Sequence, residues 1–428
     1  MLSHKINHAD IKDWASNYDG PLFDGILCDP PYELGFMGKS WDSSGIAFDT
    51  EMWADLFKLV KPGGHLLAFS GSRTYHRMAV AIEDAGFEIR DMIEWVYGSG
   101  FPKSLNIGKA VDKIQGNERE VTGDNPNFRP VSGKEGYLGQ SNFRQTDGMS
   151  VQTKGTSPYE GYGTALKPAH EPCVLARKPL IGTVANNVLK HGTGGLNIDG
   201  TRVGVGAKKW SEPKGGIWND SVDNGATLQD NPLGRFPANL IHDGSDEVES
   251  VFPNSKSSNS VRKNKNNTGN GLTHGLMSPV DSYGFSDSGS ASRFFYTAKA
   301  SKSERNAGLE GFDNHKPMYE SHRPNYENTK GIETPYAGAG RTGNANQNHH
   351  PTVKPLSLTK YLATLIKPPT GGRLLVPFSG SGSEMIGALQ AGWEYVEGVE
   401  LTEEYIPIAE ARIKYWLGKM DKEQLNLL

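Results

Sequence analysis

At 428 residues the chain is long enough for one large domain with a substantial insertion, or for two domains. No uninterrupted apolar run approaches the roughly 20 residues a membrane span needs, and Met1-Leu2-Ser3-His4-Lys5 has no signal-peptide pattern, so a cytoplasmic protein without membrane attachment is expected. The net charge of −4 is unevenly spread: residues 1–100 carry 8 Lys and Arg against 15 Asp and Glu, whereas residues 101–352 carry 29 against 25, which allows the middle segment a basic surface for phosphates.

Ser3 to Asn7 reads as a short strand, followed by Asp10 and a helix-like Ile11 to Ser16. The apolar run Gly25-Ile26-Leu27-Cys28 predicts a buried strand that stops at Asp29-Pro30-Pro31-Tyr32, because neither proline can donate to a sheet ladder and each fixes its φ. The acid and the ring are thereby held in a stiff turn. A Gly- and Ser-rich loop with Phe36, Lys39, Trp41 and Asp42 leads to a helix over Met52 to Val60, which stops at Lys61-Pro62-Gly63-Gly64. His65 to Phe69 and Phe87 to Tyr97 read as strands on either side of an amphipathic helix, Thr74 to Ala85.

From Gly98 to His350 the texture changes to Gly, Asn, Ser and Pro, with periodicity only in patches such as Pro172 to Ala176 and Phe236 to Ile241. Aromatics recur there, among them Tyr162, Trp210, Phe236 and Phe252, so a loop-rich folded region with mobile stretches such as Ser255 to Gly271 is expected rather than a disordered linker. Regular structure returns with a helix over Leu356 to Ile366, a break at Pro368 to Gly372 and a buried strand, Arg373 to Pro377. A helix over Ser383 to Ala391, a strand over Tyr395 to Glu400, and a helix over Glu403 to Leu417 that Thr402 can cap complete the pattern. Such alternation indicates an α/β fold with a doubly wound, mostly parallel sheet.

Two constellations carry chemistry. An exocyclic amino group on a nucleobase is a poor nucleophile because its lone pair is delocalised into the ring. A carboxylate and a backbone carbonyl accepting from that group localise the pair, and an aromatic face can stack on the base; Asp29, the Pro30 carbonyl and Tyr32 offer this set within four residues. A proline-stiffened strand exit is also a structural device in its own right. In Phe378-Ser379-Gly380-Ser381-Gly382-Ser383, between a strand and a helix, glycines let the backbone pass close to a ligand at the helix N-terminus. Glu400 ends the next strand, twenty positions after Gly380, where a carboxylate can accept from both hydroxyls of a ribose. No Gly-Lys-Ser/Thr follows, which disfavours a phosphate-gripping loop, and the third glycine of a dinucleotide fingerprint is missing.

Asp29-Pro30-Pro31-Tyr32 resembles the catalytic motif of the amino-group DNA methyltransferases, the N6-adenine and N4-cytosine enzymes. With the catalytic motif first, a long variable region next and the glycine loop last, the chain is similar to the β arrangement of that family over roughly residues 1–100 and 349–417. The resemblance implies a Rossmann-like, mostly parallel sheet with an antiparallel edge hairpin, His170 to Lys178 looking like the family's late antiparallel strand. It implies a catalytic half over 1–100, a loop-rich insertion with the target-recognition region over 101–348, and a cofactor half over 349–428. S-adenosylmethionine is the implied cofactor, bound by Phe378, Gly380, Gly382 and Glu400. His350-Pro351-Thr352-Val353-Lys354-Pro355 resembles the element lining its methionine end, which puts Thr352 and Lys354 there, and Asp10 matches the position near its adenine. Read as residues alone, Thr352 could equally cap a turn and Asp10 the following helix.

The implied activity is site-specific methylation of adenine N6 in double-stranded DNA on a flipped-out base, with Asp29, Pro30, Pro31 and Tyr32 catalytic and no metal required. N4-cytosine methylation follows the same lone-pair logic, and a non-catalytic DNA-binding module with a vestigial cofactor site is the alternative of a different class. Cytosine C5 chemistry needs an exposed thiolate; Cys173, after Pro172 in an apolar strand, reads instead as a core residue, as does Cys28. Arg262-Lys263-Asn264-Lys265 and Arg293 are candidate phosphate contacts. No nuclease or helicase motif is visible, so any restriction endonuclease is a separate chain or absent; the recognition sequence and oligomeric state are not encoded legibly.

Overall fold

The computed structural model describes residues 2–34, 40–100, 104–124, 151–204, 234–256, 288–298, 301–312 and 347–425. Phe36, Lys39, Trp210 and Arg262 to Lys265 lie outside the described residues. Two compact units emerge, one of Met1–Gly98, His170–Leu309 and His350–Leu428, the other of Ser99–Ala169 and Glu310–His349.

In chain order the elements are β1 (Ser3–His8), α1 (Ile11–Ser16), β2 (Phe23–Cys28), α2 (Thr50–Leu59), β3 (Val60–Phe69), α3 (Tyr75–Asp84) and β4 (Glu88–Val96). Next come α4 (Ile107–Gln115), β5 (Glu120–Asp124), β6 (Val151–Lys154), β7 (His170–Arg177), α5 (Val184–His191), β8 (Leu240–His242), α6 (Asp246–Glu249), β9 (Asn254–Lys256), β10 (Ser288–Ser290), β11 (Tyr296–Thr297) and α7 (Lys302–Asn306). The chain closes with α8 (Leu356–Ile366), β12 (Arg373–Pro377), α9 (Ser383–Gln390), β13 (Tyr395–Glu400) and α10 (Ile406–Leu425).

In the larger unit nine strands form one sheet in the order β1-β13-β12-β2-β3-β7-β4-β8-β11. Every pairing is parallel except the two made by β7. The fold is therefore the doubly wound, mostly parallel α/β architecture that the alternation predicts. The antiparallel strand is internal, because β8 and β11 extend the sheet beyond β4. Both faces are covered, as parallel sheets require: Leu27, Leu67 and Val376 pack toward α8 and α9 on one face. Ile26, Cys28, Leu66 and Ala68 pack with residues of α1, α2 and α3 on the other.

The winding reverses between β12 and β2. From β12 the chain passes through α9 to β13 on one side, and from β2 through α2 to β3 on the other. The carboxyl ends of these two neighbours flank the crevice in which open α/β sheets bind ligands.

Some sequence expectations shift in detail. Lys61-Pro62-Gly63-Gly64, read as a break, forms the entry of β3 as an irregularity: Phe23 pairs with Val60 and Gly25 with His65, so the extra residues bulge out. Gly63 takes φ +80°, and the Pro62 carbonyl accepts from Asn187 Nδ2 at 2.9 Å and Thr193 Oγ1 at 2.6 Å. None of the helices α4 to α7 in the glycine-rich middle was predicted, although the caps of α4 and α5 are written out. Asn106 accepts from the Lys109 amide and Thr183 from the Asn186 amide, while Gly116 and Gly192 end α4 and α5 in the left-handed conformation. Thr402 precedes a 3-10 turn leading into α10 without capping it through its side chain.

In the smaller unit β5 and β6 pair antiparallel, and Arg119 ties this pair to α4 by contacting Asp112, Glu160 Oε1 at 2.8 Å and the Thr153 carbonyl at 3.0 Å.

Candidate active site

Because Leu374 of β12 pairs with Gly25 of β2, Phe378 and Asp29 each lie four residues further along adjacent strands. The glycine loop and the Asp-Pro-Pro-Tyr turn, separated by some 350 positions of sequence, thus leave the sheet side by side at the switch point. The next strand out, β13, brings Glu400 to the same edge, and its neighbour β1 pairs His8 with Glu400, which places Asp10 two residues beyond.

The Asp-Pro-Pro-Tyr turn is fixed from several sides. Thr74 Oγ1 donates to the Tyr32 carbonyl at 2.8 Å, and Glu33, in the left-handed region at φ 55°, donates its amide to Asp42 at 3.0 Å. The Tyr32 hydroxyl donates to Glu171 Oε2 at 2.9 Å. Lys354 Nζ donates to Asp29 Oδ2 at 2.6 Å and to the Tyr32 hydroxyl at 3.0 Å, and stands 3.3 Å from Glu171 Oε2. Its ammonium also sits 4.8 Å from the centre of the Phe69 ring. Burial opposes the Lys354 charge, but the Asp29 and Glu171 carboxylates outweigh it and hold the ammonium pKa above its ordinary value.

Asp29 Oδ1 is buried and has no hydrogen-bond partner among the described residues. A buried carboxylate oxygen left open is costly unless something arrives to donate to it. Lys354 fixes the other oxygen and so aims this one. The family resemblance places Lys354 at the methionine end of the cofactor; in the structure its ammonium contacts Asp29 and Tyr32. Glu171 was missed by sequence reasoning. Its only signal is a carboxylate near the start of β7, ahead of that strand's apolar middle, and β7 lies beside β3.

On the cofactor side the loop after β12 is contorted. Phe378 has φ 60°, Gly380 φ 50° and Gly382 φ 82°. A Cβ added to Gly380 would lie 2.8 Å from His350 Nε2, and one on Gly382 would lie 3.2 Å from the Ala409 Cβ, so only glycines permit this close passage. The buried Glu400 carboxylate spans the loop mouth, accepting from the Gly380 amide at 2.7 Å and the Thr402 amide at 2.8 Å. Burial raises its pKa against the pull of these two amides. Each oxygen keeps a further lone pair for a hydroxyl donor.

His350 accepts no proton readily, since burial pulls it down to about 4; its Nδ1 contacts the Thr352 carbonyl. The Thr352 side chain is exposed. Asp10 is half-buried and caps α1 by accepting from the Lys12 amide at 2.8 Å, the structural role its sequence allows. Cys28 and Cys173 are both buried, and burial raises both thiols well above their ordinary range, so neither is an available thiolate. Arg293 is half-buried and donates to Ser255 Oγ and to the carbonyls of Gly289, Ser290 and Ser255, tying β9 to β10.

A doubly wound sheet with a glycine loop, a buried acid closing the next strand and an Asp-Pro-Pro-Tyr turn around one switch point defines a methyltransferase-type α/β domain. The DNA methylase family model for N6 and N4 enzymes matches residues 23–411, and the chain belongs to this family of S-adenosylmethionine-dependent methylases. It is 24% identical over 151 residues to the type II methyltransferase M.HindIII of Haemophilus influenzae, a match covering 34% of this chain and 37% of that one. The chain thus spans about a third of the length of the curated relatives it matches. Among solved structures, the M1.HpyAVI complex with S-adenosylmethionine aligns over 96% of this chain and 99% of its own, at 14% identity and a TM-score of 0.36. The cytosine-N4-specific PvuII DNA methyltransferase aligns over 96% and 86%, at 10% identity and a TM-score of 0.40.

Proposed function

We propose that this chain methylates the exocyclic N6 of adenine at a specific sequence in double-stranded DNA, using S-adenosylmethionine. The observation that carries the reading is the open, buried Asp29 Oδ1 beside Tyr32, at the switch point it shares with the glycine loop. When bound, S-adenosylmethionine supplies a methyl group activated by a positively charged sulfur. The residues present fit it: Phe378, Gly380 and Gly382 would cradle it beside His350, Glu400 would accept from its ribose hydroxyls, and Asp10, Thr352 and Lys354 are the further residues that would hold it.

The remaining work falls to the protein. The target base leaves the duplex at a cost of a few kcal/mol. Asp29 Oδ1 and the Pro30 carbonyl accept the two amino hydrogens, localising the nitrogen lone pair, and the Tyr32 ring supports the base. Lys354 and Glu171 hold the acid and the ring in place, so the geometry is set before the base arrives. The acid that opens the tetrapeptide favours adenine, since in the resembling family serine is commoner there for cytosine. Incubating the protein with labelled cofactor and unmethylated duplex DNA, then analysing nucleosides, should yield N6-methyladenine. N4-methylcytosine would transfer the assignment to the other base, and absence of label would favour a DNA-binding module.

Two substitutions separate this reading from its rivals. Cys173→Ser should lower the melting temperature, since it buries a hydroxyl, while the folded protein keeps its methylation rate; loss of activity with the fold intact would restore a thiolate mechanism. Gly380→Val should weaken cofactor binding by about tenfold to a hundredfold, the scale of a 1–3 kcal/mol steric penalty, as read by calorimetry.

A further inference from the structure

Glu384, in the first turn of α9 directly after the glycine loop, has no role in the chemistry derived so far. It is 4% exposed, and its Oε1 is buried without a hydrogen-bond partner among the described residues. The charged groups that act on it electrostatically are Asp29 of the Asp-Pro-Pro-Tyr turn, Lys354 beside that turn and Arg412 of α10. Neither cation is hydrogen-bonded or ion-paired to it among the described residues, although Arg412 Nε is likewise buried without a partner. Lys354 is paired with Asp29 and Glu171, and Arg412 donates to the Ser381 carbonyl at 2.5 Å, to Ser381 Oγ at 3.0 Å and to Ser383 Oγ at 3.2 Å. Asp29 and Glu171 therefore share one ammonium, Glu384 is a third buried carboxyl that feels these charges without a hydrogen bond to any of them, and Arg412 is held by the loop.

Taking the cofactor assignment as given, we propose that Glu384 is the counter-ion for the cofactor's positive sulfur, ionised when the sulfonium form is bound and protonated when the thioether product is bound. Burial and the Asp29 charge together push the Glu384 carboxyl up to about 7 before any ligand arrives, outweighing its own amide and the nearby cations. An entering cation stabilises the charged form, so its binding expels the proton. Methyl transfer removes that cation by breaking the S–CH3 bond and forming N–CH3. The amino nitrogen gives up one proton, and Glu384 becomes basic enough to take one up, so the charge in the cleft stays balanced. Product and substrate are thereby told apart by charge rather than by shape.

S-adenosylmethionine and S-adenosylhomocysteine differ by one methyl group and one charge, and calorimetry of each against the full-length protein tests the assignment. Below pH about 7 the wild-type affinity for S-adenosylmethionine should rise about tenfold per pH unit and then level off, with a proton released on binding, while S-adenosylhomocysteine shows neither effect. Glu384→Gln should abolish the release and the pH dependence and cost about tenfold or more in affinity for S-adenosylmethionine alone at pH 8. A variant that keeps the wild-type discrimination and proton release overturns the counter-ion role. Should Glu384→Gln fail to fold, proton release by the wild type, measured in buffers of different ionisation heat, decides the same point. Wild-type protein that binds neither ligand would overturn the cofactor assignment instead.

Discussion

Asp29→Ala is expected to lower methyl transfer by about 10²- to 10³-fold or more while the affinity for S-adenosylmethionine stays near wild type. The magnitude is that of losing one preorganised electrostatic partner of the reacting atoms in a buried site. Two effects add. The amino group loses the acceptor that localises its lone pair, and Lys354 loses the partner at 2.6 Å that holds it against the turn. Asp29→Asn separates them, since it keeps an acceptor oxygen of the same shape but offers Lys354 no charge. It should fall between alanine and wild type. Single-turnover rates at saturating DNA read the chemistry without product release, and an alanine variant transferring methyl at the native rate would end the assignment of Asp29.

The fold was legible because its strands announce themselves. Phe23 to Cys28 is buried throughout, and Arg373 to Pro377 nearly so, and runs of that kind bounded by proline and glycine have few other readings. The site was legible where the chain itself is peculiar, at two consecutive prolines and at a loop whose glycines must take positive φ. What escaped is what depends on partners brought from afar. Glu171 and Lys354 lie 142 and 325 positions from Asp29, and no local pattern distinguishes an inward glutamate at a strand's start from an outward one. The contact of Lys354 with Asp29 and Tyr32 stayed hidden for the same reason. Local capping in α4 and α5 was readable but drowned by the glycine and asparagine around it. Arg293 shows the converse dependence: only its carbonyl partners, not its sequence neighbourhood, reveal that it ties β9 to β10.

Lys354→Met is expected to destabilise the protein by about 3–5 kcal/mol and to reduce methylation by about a hundredfold or more, because removing one member of a buried ion pair strands the others. Asp29 and Glu171 are then left as two carboxylates without their shared ammonium, at side-chain exposures of 13% and 21%. One of them recovers a proton, and an Asp29 that is protonated or turned away cannot accept from the base. The pH response should change accordingly. In the wild type the raised Lys354 pKa keeps the ammonium charged throughout the neutral range, and its stabilising contribution, full below the ordinary lysine value, is lost only in strongly alkaline solution. At saturating cofactor the wild-type chemical step should therefore show no Lys354 titration near neutrality. In Lys354→Met the surviving activity should climb with pH as the carboxylate pair loses its proton. Adding Glu171→Gln to Lys354→Met relieves the like-charge contact and should return part of the stability, a non-additivity read by urea denaturation of the four proteins of the cycle. Additive losses, or a Lys354→Met variant as stable and as active as the wild type, would show that this ammonium does not organise the catalytic turn.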